Sequence, residues 1–412
     1  MDVLLSHVSA VRFFDGAGTR NRGCTTLRFN VRSLPSKTAT LPFPQQNAKY
    51  YKEIEAAVDV VQRACHLCLN VKSSLFSTGG NVLEKTDQTP VTVADFGVQA
   101  LISLELNKLF PSIPLVAEED SAFLRSRNLA DTVLNAVTAT ASSTCKPLTQ
   151  DDVLEAIDRG GKDAFVFGSK PATYWVLDPI DGTRGFLKAS KALYVVGLAL
   201  VVEGEIVIGV MGCPNWEEDL SEKSSAEIEE DWDSLRGSGT VMIAHKGCGT
   251  WMKSLSSQLE SPGVWTRCFV DEPDIIHKAR FCIPDSQTWE SLPLSSLFSA
   301  TSDADNVGSN QILLLGTCCG SLCKYLMVAS GRASIFILRA KEKTIIKAWD
   351  HAVGMICVHE AGGKVTDWKG SEIDLAADHA GRRIIFPSGG VLVTNGNLHD
   401  QILRIIYQTS RV

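Results

Sequence analysis

Apolar residues recur at helical spacing over residues 47–76. There Tyr50, Ile54, Ala57, Val58, Val61, Cys65 and Leu69 share one side of a 3.6-residue repeat and predict one amphipathic helix. Pro90-Val91-Thr92-Val93-Ala94-Asp95 reads as an extended entry into a second helix over 96–109, which Pro111 ends. Pro114-Leu115-Val116-Ala117 predicts a short strand that delivers Glu118, Glu119 and Asp120. Residues 121–160 read as mostly helical, with a Ser/Thr-rich break at 138–145. Tyr174-Trp175-Val176-Leu177 is a buried strand ending at Asp178, and two apolar runs around Glu203-Gly204-Glu205 predict a hairpin. Further strands are expected at 239–244, 279–283, 334–338 and near 364–367 and 391–394. Helices are expected at 320–330, from near Asp350 onward, and at 397–408. Strands and helices alternate without a clean βαβ repeat, so the fold class is α+β, or mixed α/β with layered sheets.

Two stretches stand apart from this pattern. Residues 1–46 carry Arg12, Arg20, Arg22, Arg28 and Arg32 but only Asp2 and Asp15 as acids, a composition typical of organelle transit peptides. The five arginines favour a mitochondrial destination over a chloroplast one, and an untargeted tail is the remaining alternative. The segment 217–238 is acidic and Ser-rich, which suggests a solvated loop and a boundary between an N-terminal lobe (47–238) and a C-terminal lobe (239–412).

With 412 residues the chain can bury a large core, and its net charge of −7 offers no overall basic field for a nucleic acid polymer or an anionic membrane. No run approaches the ~20 apolar residues of a membrane-spanning helix. Twelve cysteines are scattered; Cys65 and Cys68 fall on the buried face of the first helix and, like Cys318, Cys319 and Cys323, read as small core thiols.

Acids placed directly after apolar strands are the chemical signal. In Leu177-Asp178-Pro179-Ile180-Asp181-Gly182-Thr183 two carboxylates three residues apart can converge on one hard cation, with the Ile180 carbonyl as a further oxygen ligand. The N–H groups of Gly182 and Thr183 would open a helix and seat a phosphate. Glu118-Glu119-Asp120 and Asp350 are further acidic points. Gathered in one cleft, these carboxylates would repel one another unless cations compensated them. Each also has a plainer reading, because Asp95, Thr183 and Asp350 are ordinary helix N-caps.

Together, Glu118-Glu119, Asp178-Pro179-Ile180-Asp181-Gly182-Thr183 and Trp349-Asp350-x-Ala352-x-Gly354 resemble the signatures of the inositol monophosphatase superfamily, from near Tyr50 to the C-terminus. That superfamily comprises magnesium-dependent, lithium-sensitive phosphomonoesterases. The resemblance implies a two-lobed layered αβαβα sandwich and two or three magnesium ions held by Glu118, Asp178, the Ile180 carbonyl, Asp181 and Asp350. It also implies a catalytic pair, Asp95 and Thr183, that orients the attacking water. Pro90-Val91-Thr92-Val93-Ala94-Asp95 and Asp181-Gly182-Thr183-Arg184-Gly185-Phe186 are most similar to the 3'(2'),5'-bisphosphate nucleotidase branch, which converts 3'-phosphoadenosine 5'-phosphate to AMP. On that basis Gly182, Thr183, Ser321, Lys324, Arg339 and Asp350 would contact substrate in a monomeric enzyme. Read without the resemblance, Lys324 and Arg339 are surface charges. Three positions depart from the branch: Pro284-Asp285-Ser286 replaces a usual His, Gly320 replaces a usual Asp, and Arg339-Ala340-Lys341 replaces Arg-Leu-Pro. The departures keep open another phosphomonoesterase of this fold, acting on an inositol or sugar phosphate. A catalytically weak binding or redox-sensing protein is a further alternative.

Overall fold

The first apolar stripe buries itself as α1 (Tyr51–Thr78), with Ile54, Ala57, Val58, Val61 and Cys65 out of solvent. α2 (Val93–Leu109) is buried from Ala94 to Leu106 except at Leu104, as expected of a helix apolar on nearly every side. Three shorter helices follow, α3 (Ala122–Arg127), α4 (Ala130–Thr138) and α5 (Gln150–Gly160). The computed structural model describes residues 41–78, 83–84, 90–141, 147–188, 192–217, 239–255, 263–304, 307–317, 320–341 and 345–409. Most of the expected leader, the acidic loop from 218 on, and Cys318 and Cys319 lie outside the described residues. Leu41 and Phe43, inside the stretch assigned to the leader, pack into the core beside Ala48 and Ile54.

A seven-stranded sheet runs in the order Leu115–Ala117, Tyr174–Asp181, Val195–Val202, Glu205–Cys213, Thr240–His245, Gly249–Ser254, Thr266–Arg267. Its first pair is parallel and the rest antiparallel. Alternation divides its side chains: Trp175, Leu177, Leu198 and Leu200 join the cluster with α1 and α2, while Tyr174, Val176, Ala199 and Val201 face the opposite way. The short helix α6 (Thr183–Phe186) leaves the second strand, and α7 (Leu322–Ala329) and α8 (Ala352–Glu360) cover the sheet's other face. Gly354 permits that layer to close, since a Cβ there would stand 2.2 Å from the Tyr325 ring.

A six-stranded sheet lies beyond α7 and α8, ordered Ser299–Thr301, Gln311–Leu314, Arg280–Cys282, Ile335–Arg339, Gly390–Thr394, Lys364–Asp367. Its outer face packs on α9 (His399–Thr409) through Ile335, Ile337, Leu392, Ile402 and Ile406. Helix, sheet, helix, sheet and helix thus stack as an αβαβα sandwich. Two details differ from the sequence reading. The strand from Tyr174 does not stop at Asp178; it runs through Asp181, with a register shift between the two acids where Pro179, lacking a donor, is tolerated. The strands between Thr240 and Arg267 continue the first sheet, so the change of sheet comes after Arg267 rather than at 238. No described helix is long and apolar enough to cross a membrane.

Candidate active site

Three carboxylates from two elements meet at one point. Asp178 and Asp181 end the second strand, Asp350 precedes α8, and their oxygens lie within 4.8 Å of one another. A cleft of about 310 Å³ opens over them, lined also by Glu118, Ile180, Gly182 and Thr183. Gly182 has φ +89°, a left-handed conformation that glycine takes without strain, and this turns the strand directly into α6.

Crowding and burial mark the acids. Burial first, then the charges of Glu118, Asp181, Asp350 and Asp95, hold the Asp178 carboxyl well above the usual carboxylate range. Asp350 is raised well above it too, by burial and then by Asp181 and Glu118. Asp181 is pushed up to about 6 by burial, a rise opposed by the Leu322 N–H, Lys324 and the Ser321 N–H. Those N–H groups donate to Asp181 at 3.0 Å from Ser321 and 2.6 Å from Leu322. Asp178 Oδ1 is buried with no hydrogen-bond partner among the described residues. An orphaned carboxylate oxygen inside an all-oxygen donor set fits a hard divalent cation. Asp178, Asp181 and Asp350 could hold it, and Glu118 and Ile180 line the same cleft.

Beside the acids, Thr183 Oγ1 shares its proton between Asp95 Oδ1 and the Ile180 carbonyl, both at 3.2 Å. The other Asp95 oxygen accepts from Thr92 N–H (2.8 Å) and Thr92 Oγ1 (2.7 Å), closing the capping box of α2. None of the three expected N-caps is one: Thr92, Gly182 and His351 hold those positions, and Asp95 is the third residue of α2, where one oxygen closes the capping box and the other faces Thr183. The Glu118 turn is pinned by Gln99, whose amide accepts from the Glu119 N–H (2.9 Å) and donates to the Glu119 carbonyl (2.6 Å).

The geometry matches a known group of folds and sequences. Residues 49–411 match the inositol monophosphatase family. The chain belongs to that family. A protein of Arabidopsis thaliana bearing the name 3'(2'),5'-bisphosphate nucleotidase, mitochondrial, is 62% identical over 98% of this chain and 97% of its own length. Another from the same plant, named 3',5'-bisphosphate nucleotidase AHL, is 35% identical over 86% of this chain and 96% of its own. Among solved structures, an IMPase of Thermotoga maritima covers 87% of this chain and 98% of its own with a TM-score of 0.51 at 19% identity, a likeness of fold.

On the remaining wall this member of the inositol monophosphatase family places the expected substrate residues unevenly. Lys324 is not a surface charge: it is 1% exposed, lines the cleft and donates from Nζ to the Gly320 carbonyl at 2.8 Å. Ser321 lines it as well. Arg339 does not; it is exposed, and its guanidinium donates to the Ser291 carbonyl. Gly320 has φ +63°, and a Cβ there would stand 2.2 Å from Asp181 Oδ2, so the position has no room for the acid usual in the branch. Arg184, Pro284, Asp285 and Ser286 also line the cleft, residues the sequence singles out as branch feature or departure without assigning them to the site, whereas sequence reasoning missed Gln99 as the brace of the Glu118 turn. Arg184 carried a signal in its place beside Thr183. The brace spans twenty residues and no local pattern announces it.

Proposed function

We propose that the chain is a magnesium-dependent phosphomonoesterase that removes the 3'-phosphate of 3'-phosphoadenosine 5'-phosphate, leaving AMP. The observation that carries this reading is the meeting of Asp178, Asp181 and Asp350 within 4.8 Å in the cleft that Thr183, hydrogen-bonded to Asp95, also lines. Two or three bound magnesium ions would screen the ester's negative charge and acidify the attacking water. The protein's own groups divide the remaining work. Asp95 holds the Thr183 hydroxyl through Oδ1, so that the hydroxyl oxygen presents a lone pair to a water and Asp95 is in reach as the proton acceptor through it. The N–H groups opening α6 and the Lys324 ammonium supply positive charge for phosphate oxygens in a cleft lined mainly by acids, with Arg184 as a further cation. The Arg-rich leader and the mitochondrial name of the 62% identical relative support a mitochondrial address.

The two lobes go with this reading, each built on one sheet, with Asp178 and Asp181 on the first. A second reading, an inositol or sugar phosphatase, is favoured by Asp285, Ser286 and Gly320 lining the cleft while Arg339 stays outside it. A redox role draws little support: among the described residues eight cysteines are free thiols, and burial raises those of Cys65, Cys68, Cys213 and Cys323, which disfavours the reactive thiolate. The test is phosphate release by purified protein with magnesium from 3'-phosphoadenosine 5'-phosphate, its 5'-phosphosulfate analogue and inositol 1-phosphate. The bisphosphate is expected to turn over fastest. A wide preference for inositol 1-phosphate overturns the assignment.

A further inference from the structure

The acids of the cleft arrive on segments far apart in sequence, and one side chain outside the cleft ties two of those segments together. Arg383 donates from Nη1 to the Ala117 carbonyl at 3.0 Å, and from Nη2 to the Gly160 and Gly161 carbonyls at 2.8 and 2.6 Å. Ala117 is the residue before Glu118. The same guanidinium stands 5.7 Å from the centre of the Trp349 ring, and Trp349 is the residue before Asp350. The Arg383 carbonyl accepts the Ala348 N–H at 2.8 Å, so backbone and side chain both grip the Asp350 segment. Asp378 fixes the arginine in turn, accepting its N–H at 2.9 Å.

The chemistry of this position is specific. Gly160 and Gly161 close α5, where unpaired carbonyls carry partial negative charge that a cation offsets. Three carbonyls around one planar fork match a guanidinium; a lysine ammonium could not reach all three in the same geometry. Arg383 is absent from the cleft lining, so it is neither a ligand nor a substrate contact. Yet the carboxylates it stands behind are the ones that push each other apart, with Glu118 raising Asp350.

We propose that Arg383 is a positioning residue that fixes the separation of the Glu118 and Asp350 segments and thereby sets the affinity of the cleft for divalent cations. The proposal rests on reading the acidic cleft as a cation site. Arg382 supplies the control. Buried where Arg383 is half-buried, it also donates to carbonyls, those of Gly168 (2.6 Å), Lys170 (2.9 Å) and Ala376, and it stacks on Phe167. None of those residues adjoins an acid of the cleft.

The experiment is calorimetric titration of the full chain with manganese, for wild type, Arg382→Met, Arg383→Met and Arg383→Lys, below the unfolding temperature of each. Replacing the partners behind metal ligands commonly weakens binding about 10–100-fold, and about tenfold is expected for Arg383→Met. Arg383→Lys should fall between it and wild type, and Arg382→Met should bind like wild type even where it melts earlier. Equal affinity for Arg382→Met and Arg383→Met overturns the proposal and leaves Arg383 a packing residue. If Arg383→Met does not fold, Arg383→Lys decides, and wild-type affinity there overturns it. A wild-type protein that binds no manganese overturns the cation reading itself, a failure distinct from unchanged binding in the Arg383 variants.

Discussion

The two walls of the cleft are built on different terms. On the acid wall, Asp178, Asp181 and Asp350 converge, and Asp95 faces Thr183; strand backbone and a helix capping box hold them. On the adjoining wall Lys324 lines the cleft, Arg339 stays outside it, and Gly320 with Pro284-Asp285-Ser286 replaces the branch's usual side chains. Breaking a phosphate ester with water requires fixed oxygens at fixed distances, so the acid wall tolerates little variation. Holding the rest of the molecule requires only shape and compensating charge, which several sets of side chains can supply. The first wall therefore speaks for the reaction and the second for the substrate.

The sharpest way to break this contrast is Asp178→Asn. Turnover should fall at least 10³-fold, about 4 kcal/mol in the barrier, in a steady-state phosphate-release assay. The same variant should melt higher than wild type in EDTA, because it removes a buried carboxyl that must either take up a proton or carry its charge beside four other acids. Near-normal turnover would mean the acid cluster is structural. Next in size is Thr183→Val, which keeps the volume and loses the hydroxyl; kcat should drop about 10²-fold. Asp95→Asn should cost a similar factor, and the double variant little more than either alone, since the pair acts as a unit. Multiplying effects would show that the two residues work separately.

A pH series tests the acid wall with magnesium itself. Asp181 has its folded-state carboxyl raised to about 6, above its unfolded value of 3.8, so the metal-free fold favours the protonated form. Its contribution to stability is complete below the unfolded value and is lost as pH rises through 6. On the proposed reading magnesium would bind the ionised form and reverse that loss. The rise in Tm on adding magnesium should therefore be small near pH 4 and grow by several degrees towards pH 6.5 in differential scanning fluorimetry. A magnesium effect independent of pH would remove Asp181 from the ligand set.

The difference between the walls also governs what could be read from the sequence. Trp175-Val176-Leu177 announced a buried strand, and acids after such a strand are rare enough to stand out. Asp95, Thr183 and Asp350 were legible because helix starts have strong local signatures. Strands such as Thr266–Arg267 and Ser299–Thr301 were not, since two or three residues carry no periodicity. The continuation of the strand past Pro179 was masked because a proline there argues for a turn. Lys324 illustrates the limit: a lysine in a sequence reads as surface, and only the close approach of α7 to Asp181 buries it. Gln99 and Arg383 act across 20 and 266 residues, distances over which a single sequence holds no pairing information.

The smallest predicted effect is the one that most sharpens the substrate wall. Lys324→Met should raise KM for the bisphosphate roughly tenfold, the value of one charge-assisted hydrogen bond, and leave kcat nearly intact. Arg339→Gln should change kcat/KM by less than about twofold, in line with an exposed substitution. Its guanidinium is already committed to the Ser291 carbonyl, and its backbone is tied to Gln287 at 3.0 Å, so nothing directs it towards the cleft. If Arg339→Gln instead raises KM as much as Lys324→Met does, the strand end carrying Arg339 must swing inward when substrate binds. The departures at Ala340 and Lys341 would then bear on substrate choice directly, and the contrast between a fixed wall and a permissive one would become a contrast between a rigid wall and a closing one.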